Sequence, residues 1–327
     1  MEIIFLGTSS GVPTKDRNVS AVALKESSGK KWYLIDCGEG TQHQLLHCQL
    51  SMKNLNGIFI THVHGDHCYG LPGLLATIGM NGRTEPLKVF APQGIKQWIE
   101  ATRELTQWYL PYELEFISTE TVNNYELSQF SISTTKLSHP VASYAYSFTQ
   151  RGLELKLDTQ KLIQNNIPSG PIWGQLRKEK QVTFEGEILQ QKDFIKDDIK
   201  PQKIVIAGDN DDPSLLKEQC LNAQVLIHES TYDKSLATKA KKVGHSYAEL
   251  VASFAQQVNI KNLVLTHFSA RFQSNEPSND SGHDQKNSIN ILLDEAKAVF
   301  SNQIYLAKDF QRYKLEKSGE LILIEGK

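Results

Sequence analysis

The sequence predicts an α/β fold, and three observations predict it. Short runs rich in β-branched and aromatic residues, bounded by Gly, Asp or His, alternate with longer stretches whose apolar residues fall three and four apart. Several of the short runs end in a side chain able to bind a metal. The composition, 39% hydrophobic and 22% charged over 327 residues, excludes a disordered, fibrous or disulfide-stapled chain.

Taken in order, strands are expected over 2–6, 31–35, 57–61, 87–91, 130–137, 203–207, 224–228, 262–266 and 303–307. Helical spacing is read over 95–106, 247–257 and 289–300, with a further helix over 41–50. The strands form two halves that present ligands at a common edge. Between the halves, 150–200 mixes charge with Gly152, Pro168, Gly170, Pro171, Gly174 and Gly186 and shows no sustained core periodicity, so it reads as an excursion from the core. The polar stretch 269–288 reads as a surface loop, because no apolar residue after Phe272 anchors it.

Lys plus Arg total 35 and Asp plus Glu 37, a net charge of −2, so no global positive field draws in polyanions. A nucleic-acid partner would need a local basic patch. The four cysteines, Cys37, Cys48, Cys68 and Cys220, lack close pairing and suit a reducing compartment. No apolar run approaches the roughly 18–20 residues of a membrane span. No basic segment precedes the first strand, so a cytoplasmic location is expected.

The strongest chemical signal is Thr61-His62-Val63-His64-Gly65-Asp66-His67, at the end of an expected strand. His62 and His64 lie two apart, so an extended backbone can aim both at one ion, while Asp66 and His67 turn toward a neighbouring one. Gly65 is expected to permit the turn between the pairs. Burying three imidazoles and a carboxylate without a metal would be costly through desolvation and repulsion. Two coordination spheres need further donors, and His139, Asp209 and His267 each terminate an expected strand. Asp209 could bridge both ions. His43 and His47 have zinc-compatible helical spacing, but the intervening Gln44-Leu45-Leu46 lacks the glutamate of the helical metalloprotease motif, so they read as helix-face residues.

These residues resemble the metallo-β-lactamase superfamily, and within it the ribonuclease Z (tRNase Z) family. The resemblance runs from Phe5-Leu6-Gly7-Thr8-Ser9 to about Lys308. It includes Asp36-Cys37-Gly38-Glu39-Gly40-Thr41-Gln42, Gly208-Asp209, His228-Glu229-Ser230-Thr231, Gly244-His245-Ser246 and His267-Phe268-Ser269-Ala270-Arg271-Phe272. Pro13-Thr14-Lys15-Asp16-Arg17-Asn18 is similar to a family loop associated with choice of cleavage position. Gly170-Pro171-Ile172-Trp173-Gly174-Gln175-Leu176-Arg177 is similar to the family's flexible tRNA-holding arm. Ser230 and Tyr247 stand where the family more commonly has Ala and Thr.

The resemblance implies a single four-layered αββα domain over 1–327, with a flexible arm inserted at about 150–196 and the polar loop at about 273–287. It implies two zinc ions, the first held by His62, His64, His139 and Asp209 and the second by Asp66, His67, Asp209 and His267. Asp66 would orient water, while Glu229 and His245 would form the pair that protonates the leaving oxygen. The substrate would be precursor tRNA, cut by a homodimer. Affinity for RNA would come from Lys15 and Arg17, from Arg177, Lys178 and Lys180 with Gly170, Pro171 and Trp173, and from Lys234, Lys239, Lys241 and Lys242. Two rival readings are a general phosphodiesterase or other hydrolase of the same fold, and a catalytically silent RNA-binding protein. The first has no need of the arm, and the second would be expected to have lost a ligand.

Overall fold

The computed structural model describes residues 1–151, 157–195, 201–272 and 288–324. The expected polar loop at 273–287, with His283, lies outside the described residues. The strands carry apolar side chains on both faces, and this double burial dictates the layers. Along Glu2–Gly7, Ile3 and Phe5 face one cluster while Ile4 and Leu6 face another. Trp32–Ile35 repeats the pattern, with Tyr33 and Ile35 on one side and Trp32 and Leu34 on the other. In the second half, Val225 and Ile227 of Val225–Glu229 share a cluster with Phe5 and Tyr33, while Leu226 points away. A period of two with both faces buried demands a sheet covered twice.

The first sheet has eight strands, in the spatial order Leu321–Ile324, Arg312–Leu315, Glu2–Gly7, Ala21–Lys25, Trp32–Ile35, Leu55–Phe59, Leu87–Ala91 and Leu114–Ser118. The second has seven: Gln303–Leu306, Asn262–Thr266, Val225–Glu229, Lys203–Ala207, Tyr144–Gln150, Phe130–Lys136 and Tyr125–Leu127. Helices Leu71–Met80 and Gln93–Leu105 pack on the outer face of the first through Leu74, Ile78, Ile95 and Ile99. Ala248–Gln257 and Asn290–Lys297 do the same for the second through Val251, Ala255, Leu292 and Ala296. The result is the αββα sandwich.

The inter-sheet core is aromatic. Phe59 stacks on Phe90 with ring centroids 4.4 Å apart and meets Tyr146 and Phe148 edge-on at 5.2 and 5.1 Å. Phe59→Ala would leave a large cavity between two rigid sheets, and a cost of about 3–5 kcal/mol is expected. The check is the urea midpoint of purified protein at unchanged m-value.

The chain divides into two compact units, one formed by Met1–Thr149 with Gln202–Lys327 and the other by Gln150–Pro201. The second has its own small core of Leu157, Leu162, Ile167, Leu176, Val182 and Phe194. Its helix Thr159–Gln164 is capped by Asp158, whose carboxylate accepts the Lys161 N–H at 3.0 Å. Its second helix, Pro171–Lys178, begins with a proline, which suits the first helical position. A hairpin pairs Gln181–Phe184 with Glu187–Gln190. The stretch is an excursion from the main core as expected, and it has a small core of its own, built from elements of four to eight residues that are too short for any period to persist.

Candidate active site

The parallel strands of both sheets deliver their carboxyl ends to one place. Trp32–Ile35 runs parallel to Leu55–Phe59, and Lys203–Ala207, Val225–Glu229 and Asn262–Thr266 run parallel to one another. Asp36, His62, Asp209, Glu229 and His267 lie at or just beyond these ends, where ligands collect in α/β sheets. His139 follows the antiparallel strand Phe130–Lys136. The two halves approach so closely that a Cβ on Gly208 would sit 2.7 Å from the Thr61 side chain and 2.8 Å from the Ser143 hydroxyl oxygen. Only glycine fits there.

Seven of the expected residues converge. Donor atoms of His62, His64, His139 and Asp209 lie within 4.8 Å of one another, as do those of Asp66, His67 and His267. Asp209 faces both groups. Its Oδ2 is 3.6 Å from His62 Nε2 and 3.8 Å from His139 Nε2, and its Oδ1 is 3.4 Å from both His67 Nε2 and His267 Nε2.

The rings are held from outside the cluster. His67 Nδ1 lies 2.7 Å from Asp36 Oδ2, His139 Nδ1 2.8 Å from the Gly244 carbonyl oxygen, His62 Nδ1 2.9 Å from Thr61 Oγ1 and His267 Nδ1 3.0 Å from Thr231 Oγ1. This leaves four Nε2 atoms, together with His64 Nδ1, turned inward. His139 Nε2 and His64 Nδ1 stand 3.1 Å apart, and His67 Nε2 and His267 Nε2 3.2 Å apart. His62 Nε2 is buried without a hydrogen-bond partner among the described residues. Nitrogen lone pairs facing one another in a pocket, with four of the five rings fixed by an outer acceptor or hydroxyl, are what metal ligation requires. The donor set, imidazoles with carboxylates, fits a transition-metal ion.

The electrostatics agree. Burial works against ionising Asp209, yet His267, His67 and His62 outweigh it and hold its carboxyl well below the usual range. Asp66 is likewise held low, burial being overcome by His67 and His267. Burial, with His67 beside it, keeps His62 neutral. For His67 burial is outweighed by Asp209, Asp36 and Asp66, which favour a positive charge. A bound cation can supply that charge in place of the proton.

Beside this cluster, Glu229 is buried and fully engaged. It accepts the backbone N–H groups of Asn210 (3.2 Å), Thr231 (3.1 Å) and Ser246 (3.1 Å) and the Thr231 hydroxyl (2.7 Å). His245 Nδ1 lies 3.0 Å from Glu229 Oε1. Burial opposes charge on His245, but Glu229 and then Asp209 prevail and push its pKa up to about 9. Its ring is partly open to solvent, and its Nδ1 is 3.7 Å from Asp209 Oδ2.

A full-length ribonuclease Z of Pseudomonas putida is 47% identical over 322 residues, covering 98% of this chain and 99% of that one. This chain belongs to the ribonuclease Z family. A second ribonuclease Z, from Marinobacter nauticus, is 45% identical over 327 residues, covering 98% of each chain. Among solved structures, the short form of human tRNase Z is 28% identical with a TM-score of 0.65, covering 97% of this chain and all of that one. The family described as anti-Pycsar protein Apyc1 matches residues 1–161.

Of the other residues singled out in the sequence, some lie as expected and others do not. Arg17 is buried, and its guanidinium donates to Thr8 Oγ1 and the Ala307 carbonyl, so it offers no surface to RNA; charge is legible in a sequence, burial is not. Lys15, in the same loop, is exposed. Trp173 is half-buried against the core of the second unit and donates its indole N–H to the Ile167 carbonyl at 3.2 Å, so its ring is a packing element there. Gly170, Pro171, Arg177 and Lys178 are exposed. Lys234 pairs with Glu249 at 2.8 Å and Lys241 with Asp211 at 3.1 Å, which weakens both as phosphate contacts. Gly65 does not sit in a left-handed turn. It opens the short helix Gly65–Cys68, and a Cβ there would lie 2.2 Å from the Tyr69 ring, so the requirement is space. His43 and His47 are exposed, with ring centroids 5.3 Å apart.

Asp36 carries a task the sequence did not disclose. It accepts from the Thr61 N–H (2.7 Å) and hydroxyl (2.9 Å) while fixing His67, so one carboxylate ties the run from Thr61 to His67 to the neighbouring strand. It and His267 adopt left-handed backbone, at φ of 59° and 58°, a conformation uncommon outside glycine. The signal available was an Asp directly after a strand.

Proposed function

We propose that this chain is a zinc-dependent endoribonuclease that removes the 3′ trailer from precursor tRNA by phosphodiester hydrolysis. The observation that carries this reading is the pairing of two donor clusters, joined by the two oxygens of Asp209, with a buried Glu229–His245 pair at their side. His62, His64, His139 and Asp209 would hold one zinc ion, and Asp66, His67, His267 and Asp209 the other. Zinc bound there would polarise the phosphodiester and lower the pKa of attacking water toward ~7.

The protein's own groups then manage the protons. Asp66 is ionised and accepts the proton of the attacking water. As water adds to phosphorus, the bond to the 3′-oxygen of the tRNA breaks, and that oxygen needs a proton. His245, charged at neutral pH and oriented through Nδ1 by Glu229, gives it from Nε2. The products are a tRNA 3′-hydroxyl and a trailer 5′-phosphate. Exposed Lys15, Arg177 and Lys178 supply phosphate contacts.

Incubating purified protein with a 3′-extended precursor tRNA and mapping the cut to the nucleotide tests this. A single internal cut with those end groups is expected, and stepwise trimming or no cut would overturn it. Elemental analysis should find close to two zinc ions per chain. Asp209→Ala should deplete both, because the two oxygens face different donor groups; loss of one alone would refute the bridge.

Among the described residues no helix is long and apolar enough to cross a membrane. The reading includes a homodimer in the cytoplasm, to be checked by sedimentation of the protein and fractionation of cells.

A further inference from the structure

Arg17 poses a problem that its burial sharpens. A guanidinium withdrawn from water is costly unless its donors are satisfied and its charge is answered. Here Nη1 donates to Thr8 Oγ1 at 2.7 Å and to the Ala307 carbonyl at 2.8 Å, and the group lies 5.0 Å from the centroid of the Phe268 ring. Thr8 passes the interaction on, since its hydroxyl donates to Asp309 Oδ1 at 2.7 Å. Asp309 Oδ2 accepts the Asn18 N–H at 2.6 Å. Positive Arg17 and negative Asp309 are therefore joined through one hydroxyl.

These bonds close the neck of a loop. The backbone N–H groups of Thr8 and Ser9 both donate to the Asn18 carbonyl, at 2.9 and 2.8 Å. Beyond the neck, the Gly11 N–H donates to Asp66 Oδ2 at 2.7 Å. On the other side, Ser9–Ser10 pairs in parallel with Phe268–Ser269, and the Phe268 N–H donates to the Thr8 carbonyl at 2.9 Å. Phe268 directly follows His267. The loop thus touches two residues of the same donor group, Asp66 by a hydrogen bond from Gly11 just beyond the neck and His267 through its neighbour Phe268, paired at the neck.

We propose that Arg17 is a positioning residue of the active centre. It fixes the neck of the loop so that Gly11 holds the Asp66 carboxylate and the Ser9–Phe268 pairing holds His267, and it does not contact RNA. The proposal rests on the roles given above to Asp66 and His267. Lysine cannot replace it, because a single ammonium does not reproduce a flat group that donates twice from one nitrogen while lying over an aromatic ring.

The test uses Arg17→Met and, since that change places a shorter apolar side chain in a buried polar site, Thr8→Val. The second variant keeps shape and removes the hydroxyl that links Arg17 to Asp309. Thr8→Ser is the conservative control. Five quantities are read: kcat and KM for a nitrophenyl phosphodiester, bound zinc per chain, the salt dependence of tRNA binding by the metal-free protein, and the urea midpoint. Both disruptive variants should lose roughly 10–100-fold in kcat or zinc affinity, the range for groups that orient metal ligands. The salt slope of tRNA binding should be unchanged, and Thr8→Ser should behave as the parent. A slope reduced by about one in Arg17→Met with small-diester turnover intact would identify a phosphate contact and overturn the proposal. A lowered midpoint with unchanged kcat per folded molecule would reduce Arg17 to a stability role and also overturn it. If the parent hydrolyses the small diester but leaves precursor tRNA uncut, the tRNA reading fails while the effect of Arg17 is still read.

Discussion

Replacing His245 by alanine is expected to slow cleavage of precursor tRNA by about 10²–10⁴-fold, the usual cost of losing a positioned general acid. The expectation rests on how completely the histidine is committed. Glu229 receives three backbone N–H groups and a hydroxyl, so its carboxylate cannot rotate, and His245 Nδ1 lies 3.0 Å from it. A departing ribose oxygen is a strong base and needs that proton early. A nitrophenolate leaves without help, so a nitrophenyl diester should lose far less turnover in the same variant. Zinc content should hold. The geometry offers one competing role, because His245 also falls within 4.8 Å of donor atoms of Asp209 and His267 and could act as a ligand. In that case zinc would be lost and both substrates would fail together, which would sink the acid assignment. Glu229→Gln separates the roles further, since it leaves the imidazole in place but removes the charge that keeps it protonated.

What could be read from the sequence, and what could not, follows from how local each feature is. The run from His62 to His67 announces itself because ligand identity, spacing and strand end are all encoded within seven residues. His139, Asp209 and His267 were legible because each comes just after a strand. The outer partners are different. Asp36 reaches His67 because Ile35 is in register with Phe59 across a parallel pair, and register is a property of the sheet. Thr231 holds His267, and the Gly244 carbonyl holds His139, across contacts between distant segments. Two strands next to the site, Ala21–Lys25 and Tyr144–Gln150, also escaped. Arg17 was read by its charge alone, and only the packing of Thr8, Ala307 and Phe268 around it reveals a buried anchor.

Removal of the unit Gln150–Pro201 should abolish most cleavage of precursor tRNA and spare hydrolysis of a small phosphodiester. The excision is structurally permissible. Thr149 and Lys203 are direct partners on antiparallel strands, so a short Gly/Ser turn leading into Gln202, which stays with its bonds to the Leu315 and Glu316 carbonyls, can replace 150–201 without moving either strand. Leu157, Leu162, Ile167, Leu176, Val182 and Phe194 give the unit a core of its own, and none of the proposed ligands, nor Glu229 or His245, lies within it. Zinc content and the inter-sheet core should therefore survive. The loss falls on substrate binding. The unit carries exposed Arg177 and Lys178 at the end of a helix, and a folded tRNA presents backbone far from the scissile bond. If binding energy gathered there positions the 3′ end at the donor clusters, it is spent on turnover as well as affinity, so kcat/KM for tRNA should collapse while that for a nitrophenyl diester stays within a few-fold. Full tRNA cleavage by the deletion would show that the unit is no tRNA clamp and would favour a general phosphodiesterase. A parallel fall on both substrates, with zinc retained, would mean that the unit supports the centre itself.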